Sequence, residues 1–459
     1  MRPRAPSVLF VLAALAAVRP VGTQIRNLLP ITTSGEEHVD AVLSPTGDHV
    51  AFRGPDKLAV VAYAGGQEVT LAMGRNLGSF VWAPDASGLY FLDGRDLRFV
   101  PRTGGLGRTV ATLPELGHAL WDVKRDGSEL FGTWLYLRDN GGNFERETQV
   151  FAIQTDGSAP PRVLVSSLLV VDGVRVSPDQ TKIVYREYDA QPFSRHDYFV
   201  ADIDGRNPVS LTGGAGLGLN PGLPSWLGDN GGICIARIDR LLSRAVVELL
   251  MRTDPTPFAL TYPTAARNCS VSADGRFIVY EGYWQPGQTW TPVAVPAEGG
   301  GHIVFDTSRA LAFTGTPMLG GPNGDRLVVS GALGTAPVAQ VLKAELGREL
   351  LIRPRADLGG TVNLELPVAA GELGVVLLAA APLPLPVSVG ALAGGFQLDP
   401  TSVVTVLAGT GTGQGPLQAQ LGIPNVPFLS RRAVYLQGVR VTSPMPTGDF
   451  TRLVELPLF

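Results

Sequence analysis

Seven times along the chain, a short apolar stretch runs into a turn rich in Pro, Asp and Gly and re-emerges as a second apolar stretch. The clearest copies are residues 42–52 (VLSPTGDHVAF) and 174–185 (VRVSPDQTKIVY), with close variants at 81–91 (VWAPDASGLYF) and 271–280 (VSADGRFIVY). Looser ones lie at 121–127, 226–231 and 321–327. The equivalent positions Ser44, Ala83, Lys124, Ser177, Leu227, Ser272 and Gly321 are spaced by 39, 41, 53, 50, 45 and 49 residues. Pro presets φ at the first corner of a turn, and Gly accepts the positive φ of a tight hairpin. The flanks are rich in Val, Ile, Tyr and Phe, so each unit reads as strand, turn, strand.

A second hairpin signal follows each first one: 198–212, with counterparts at 60–70, 99–109, 150–163, 246–260, 293–304 and 338–351. Four short strands in each 40 to 50 residues, without helical periodicity, predict the blade of a β-propeller. One such sheet leaves both apolar faces bare, and stacking neighbours in a ring buries them. The segment Arg26-Asn27-Leu28-Leu29-Pro30-Ile31-Thr32 echoes the outer-strand sequence Arg206-Asn207-Pro208-Val209-Ser210-Leu211-Thr212. The start of the chain is therefore expected to help close the ring against the last blade.

The Ser44-Pro45 and Ser177-Pro178-Asp179 turns, and the Ala201-Asp202-Ile203-Asp204-Gly205 hairpin with Leu211-Thr212 after it, resemble the TolB-like six-bladed propellers and the related WD40-like Pro-Asp repeats of secreted bacterial proteins. The resemblance covers roughly residues 24 to 350; it is specific for fold and says little about function. Because the copies number seven, the expected fold is an all-β, seven-bladed propeller, with six blades as the alternative.

Composition agrees with a turn-rich extracellular type: 56 Gly, 37 Pro and only 17% charged residues. A formal charge of −4 without basic clusters gives no footing for nucleic acid. Residues 1–23 read as a secretory leader, with Arg2 and Arg4 ahead of an apolar run of about 11 residues, too short to span a bilayer. The expected location is secreted, periplasmic or at the cell surface, with no membrane span once the leader is removed. Cys234 and Cys269 fall in adjacent predicted blades, where a disulfide and two buried apolar side chains are both open readings. With the propeller assigned to 24–352, the texture changes over 353–459: charges thin out, Pro382, Pro384 and Pro386 break the run at 373–381, and strand-like segments recur at 361–366, 403–407, 417–421, 433–437 and 452–456. That pattern predicts a small C-terminal β-sandwich.

Catalytic signatures are sparse. No Gly-x-Ser-x-Gly, His-Glu-x-x-His or Gly-Lys-Ser/Thr occurs, and the five His residues (38, 49, 118, 196 and 302) fall in different predicted blades. Asp202-x-Asp204 lacks the Gly and the acid that a helix-flanked calcium loop wants at its sixth and twelfth positions, and reads as a hairpin corner. No catalytic residue, metal or cofactor is expected. One asymmetry points to binding. The connections that leave each blade opposite the Pro/Asp/Gly turn are short in the first two repeats and longer in the third to sixth, at 137–146, 187–197, 237–244 and 282–290. Insertions in one class of loop gather on one face of a repeat ring, and Arg and aromatic side chains anchor interfaces. The candidate binding residues are Phe144, Arg146, Tyr188, Phe193, Arg195, His196, Tyr283, Trp284 and Trp290. The expected function is a non-enzymatic module that binds a protein or polysaccharide, or scaffolds a surface; the alternative is a propeller hydrolase or lyase with a funnel site.

Overall fold

A computed structural model describes residues 24–457 except 27, 33–35, 115, 141–142, 190–195, 213–221, 240–243, 252–257, 262–264, 273–274, 284–289, 298–302, 306–310, 314–315, 321–325, 334–337, 347–350, 354–360, 367, 388–391, 394–395, 413–415, 423–432 and 443–446. The chain divides into two compact units, one holding Ile25–Gly299 and Val304–Gly347, the other built on Arg348–Phe459.

The first unit is a β-propeller. Among the described residues, seven antiparallel sheets succeed one another; the first five carry their strands in chain order from the inside out, and the sixth and seventh take their outermost strand from the chain start. The first comprises Val39–Leu43, His49–Arg53, Lys57–Ala62 and Val69–Met73. The fourth comprises Val170–Val176, Lys182–Tyr188, His196–Asp202 and Val209–Ser210. Both faces of each sheet are apolar, so neighbours bury one another. Ala51 and Leu58 meet Phe80 and Trp82 between the first and second sheets. Phe131 and Val150 meet Val174 and Tyr185 between the third and fourth, and Val184 and Tyr198 meet Trp226 and Ile235 between the fourth and fifth. Val328 and Val341 of the seventh sheet pack on Phe52 and Val61 of the first. The ring therefore closes.

The chain start performs the closure that its sequence echo predicts. Leu29 and Pro30 pair with Lys343 and Leu342, supplying the outer strand of the seventh sheet. This corrects the expected hairpin at 338–351: Gln340–Glu345 takes its outer partner from the chain start, while Leu351–Arg353 pairs with Thr361–Leu366 in the second unit. Another expectation changes at residues 137–146, read as a long loop. The strands Glu129–Asn140 and Asn143–Gln154 stay paired to Asn140↔Asn143, so all the described residues of that stretch belong to the sheet.

The repeated turn is held by its own side chains. Ser44, Ser177 and Ser272 are buried, and each Oγ accepts the N–H five residues on: His49 at 3.1 Å, Lys182 at 2.9 Å and Phe277 at 3.0 Å. Asp85, Asp126, Asp179 and Asp229 each accept the N–H two residues on. The next corner has positive φ at Gly47, Ala86, Gly127, Gln180, Asn230 and Gly275. Ser, Asp and Gly recur because the turn consumes them.

At every junction a hydrogen bond ties an innermost strand to the neighbouring sheet or the segment leading into it. Trp82 Nε1 donates to the Val42 carbonyl, and Trp226 Nε1 to that of Arg175, both at 3.0 Å. Ser79 Oγ accepts from Leu120 N, Asp122 Oδ2 from Val176 N, and Ser225 Oγ from Val271 N. Ser270 Oγ donates to the Pro317 carbonyl, and Ala41 N to Ser330 Oγ. An inner strand has no ladder partner on its channel side, so these side chains satisfy groups that would otherwise be orphaned.

In the second unit, a three-stranded sheet (Leu351–Arg353, Thr361–Leu366, Leu417–Gly422) faces a five-stranded sheet that includes Glu372–Ala379 and Ala433–Thr442. Val362, Leu364 and Leu366 of the first meet Val376 and Leu436 of the second, which is sandwich packing.

Ser177→Ala is expected to cost about 1–3 kcal/mol, because it strips a buried N–H of its acceptor. Urea unfolding of the variant checks this, and a loss below about 0.5 kcal/mol would show the turn is held without the hydroxyl.

Candidate binding face

Each Pro/Asp/Gly turn joins the first two strands of a sheet at one end, so the second and third strands are joined at the other. In the fourth sheet the latter pair runs in register from Lys182↔Asp202 to Tyr188↔His196, carrying those two rings to the end of the sheet away from the turn. The rings stack with centroids 5.1 Å apart and planes 19° apart. The Arg186 guanidinium lies 4.8 Å from the Tyr188 centroid and is clamped by Asp172, with Nε–Oδ1 at 2.8 Å and Nη2–Oδ2 at 2.6 Å. A bulge after Asp172, with Gly173 at φ +65°, lets the inner strand supply that carboxylate opposite Arg186.

Similar pairs occupy the same end of other sheets. In the sixth, Arg267 Nε donates to Glu281 Oε2 at 2.5 Å and its guanidinium lies 4.5 Å from the Trp290 ring. Arg237 binds Glu248 with two hydrogen bonds, at 2.6 and 2.9 Å, and Arg53 binds Asp40. Burial holds the carboxyls of Glu281 and Glu187 above the usual carboxylate range; Arg267 opposes that shift at Glu281, and the charge of Asp197 adds to it at Glu187. Asp197 accepts from Ser210 Oγ at 2.8 Å.

The predicted residues divide as follows. Tyr188 and His196 are in contact. Trp290 stands with Arg267 in a different sheet. Arg146 is exposed on the third sheet, paired with the exposed Leu137. Phe144 and Tyr283 lie on the strands Asn143–Gln154 and Phe277–Tyr283, and their side chains fall outside the described residues. Phe193, Arg195 and Trp284 lie outside them altogether. Sequence reasoning passed over Arg186, Asp172, Arg267 and Glu281, which sit inside strands. The available signal was positional: Arg53, Arg186 and Glu281 each follow an apolar run at the same point of the repeat, two residues after Ala51, Val184 and Val279 in the paired registers.

The turn-bearing end holds a cavity of about 210 Å³ lined by Asp122, Arg175, Ser177, Trp226 and Ser272 among others. Its polar groups already serve the ring. Asp122 accepts from Val176 N and from its neighbour Val123 N, and burial holds its carboxyl above the ordinary range against the pull of Arg175. Arg175 donates to the Trp121 carbonyl. Among the described residues, no group of three or more His, Cys, Asp or Glu side chains has the geometry of a metal site. His38 is buried edge-on against Phe52, and His118 lies 6.5 Å from the Trp134 ring.

No protein-family model matches the chain, and no curated protein does. Among solved structures, the oligogalacturonate lyase of Vibrio parahaemolyticus is similar with a TM-score of 0.55 at 11% identity, over 71% of this chain and 98% of that one. An oligogalacturonate lyase in complex with manganese gives a TM-score of 0.56 at 13% identity, over 70% and 93%. TolB from Acinetobacter baumannii is also similar, with a TM-score of 0.33 at 14% identity, over 68% and 64%. At these identities, the likeness to the lyases establishes the propeller fold and nothing finer.

Two expectations follow. Arg186→Ala leaves Asp172 without its clamp and should lower stability by roughly 1.5–3 kcal/mol in urea unfolding, the range for a hydrogen bond to a charged group. Burial lowers the proton affinity of His38 and His118 from the ordinary 6.5. The unfolded chain therefore binds more protons than the fold just below pH 6.5, and their contribution, complete above that pH, is lost as pH falls through the lowered folded values. His118→Gln should flatten the decline in unfolding free energy on acidification; an unchanged slope would remove His118 from the account.

Proposed function

We propose that this chain is a secreted, non-enzymatic propeller that binds a protein or polysaccharide through the face opposite its Pro/Asp/Gly turns. In this reading, residues 1–23 are a leader that directs export to the periplasm or beyond, 24–352 form a propeller of seven blades, and 353–459 form a β-sandwich that serves as scaffold. The observation that carries the reading is the stacked Tyr188–His196 pair beside the clamped Arg186, at the end of the fourth sheet where the connection lengthens. A flat ring gives a sugar face or a planar side chain a large contact at low entropic cost, and a guanidinium fixed by a carboxylate is already oriented. Trp290 over Arg267 repeats the combination in the sixth sheet.

The competing reading is an enzyme with a funnel site, as the shared fold of oligogalacturonate lyases brings to mind. Against it, four acids on this face (Asp40, Asp172, Glu248 and Glu281) are each paired with an arginine. Their oxygens are engaged by guanidinium groups, whereas a general base must be within hydrogen-bond reach of the proton it abstracts.

Immobilised mature protein, probed with a polysaccharide panel that includes oligogalacturonate and with the native culture medium, tests the proposal. Tyr188→Ala should weaken capture at least tenfold with the melting temperature nearly unchanged; Phe193→Ala and Trp284→Ala should behave alike. Equal loss of stability in these variants would mean that the aromatics only cover strand ends. Products bearing a new carbon–carbon double bond would establish the lyase reading instead.

A further inference from the structure

The fifth and sixth sheets meet across a tightly packed apolar cluster that contains both cysteines of the chain. Cys234 lies in the strand Gly232–Asp239, and Cys269 in the innermost strand Ala265–Val271 of the next sheet. The latter strand has a bulge between Arg267 and Ser270, with Asn268 at φ +51°. A bulge turns a side chain off the regular alternation, and here Cys269 joins the side facing the fifth sheet, among Ala236, Val247 and Ile278. Both side chains are buried, and the sulfurs are 3.4 Å apart. That separation is a van der Waals contact; a bond of about 2.05 Å requires only a small further approach of the two side chains.

We infer that Cys234 and Cys269 close into a disulfide that staples the fifth sheet to the sixth. The two thiols give up two protons and two electrons to the disulfide of an exchange partner, an oxidoreductase or oxidised glutathione, which leaves as two thiols. Burial raises the Cys234 thiol well above its usual range, so the folded dithiol holds little of the attacking thiolate. Exchange therefore precedes the packing of the two sheets around the sulfurs, and the finished bond is shielded from reductants by the same cluster. The link spans 35 residues and joins two sheets whose innermost strands are tied by the side-chain hydrogen bond from Val271 N to Ser225 Oγ.

The full chain, refolded from guanidinium with a glutathione redox couple, is denatured in iodoacetamide and weighed by mass spectrometry. The expected result is no adduct before reduction and two after, in a monomer whose melting temperature drops by several degrees when reductant is present throughout. The Cys234→Ala/Cys269→Ala variant should show no such drop. Two adducts without prior reduction, or a disulfide-linked dimer, would overturn the inference. The refolding experiment does not depend on export or on any ligand, so its outcome is separate from that of the proposed function.

Discussion

An innermost propeller strand has a ladder partner on one side only, and its other edge faces the channel. That edge carries backbone groups which water or protein must satisfy. Here the neighbouring sheet does so through side chains: the indoles of Trp82 and Trp226, the hydroxyls of Ser79, Ser225, Ser270 and Ser330, and the carboxylate of Asp122. Apolar packing between sheets is non-directional and tolerates sliding. The hydrogen bonds do not, so they set how far each sheet is rotated from the last. This accounts for a polar cavity whose groups are nonetheless engaged.

Much of the fold was legible because the turn is chemically demanding. Ser177 must accept one N–H while Asp179 accepts another, and Gly275 or Asn230 must take positive φ. Few residues do these jobs, so they recur and expose the period. The strands of the second unit were legible for a different reason: the alternation at 361–366 puts Val362, Leu364 and Leu366 on one buried face. What stayed hidden was partner choice. Nothing in residues 346–353 distinguishes a seventh outer strand from the first strand of another sheet, since both need the same short apolar run. The third hairpin was misjudged because the mostly polar stretch 137–146 read as a loop, although residues 137–140 pair in register with 143–146.

The candidate face was legible only in outline. Loop length and aromatic content pointed to the end of the sheets opposite the turns, and two of the aromatics named there, Tyr188 and His196, meet. The arginines and acids that orient the rings were missed because a charged residue inside an apolar strand, taken alone, reads as solvent-facing. Asp172 reaches Arg186 through a bulge that only Gly173, with its positive φ, betrays. Asp40 and Asn268 occupy the same strained position in the first and sixth sheets, so one local device places a polar group at this end of several blades.

The outer strand at Leu29–Pro30 has a temporal consequence. Its partner, Gln340–Glu345, emerges from the ribosome some three hundred residues later, as does Ser330, which receives the Ala41 amide across a separation of 289 residues. Contacts this remote in sequence form slowly, because the intervening chain must be ordered first. Until then the first sheet keeps one apolar face, around Phe52 and Val61, exposed to whatever is nearby. A nascent chain in that condition remains loosely folded and easily threaded, and it is also the species most prone to self-association.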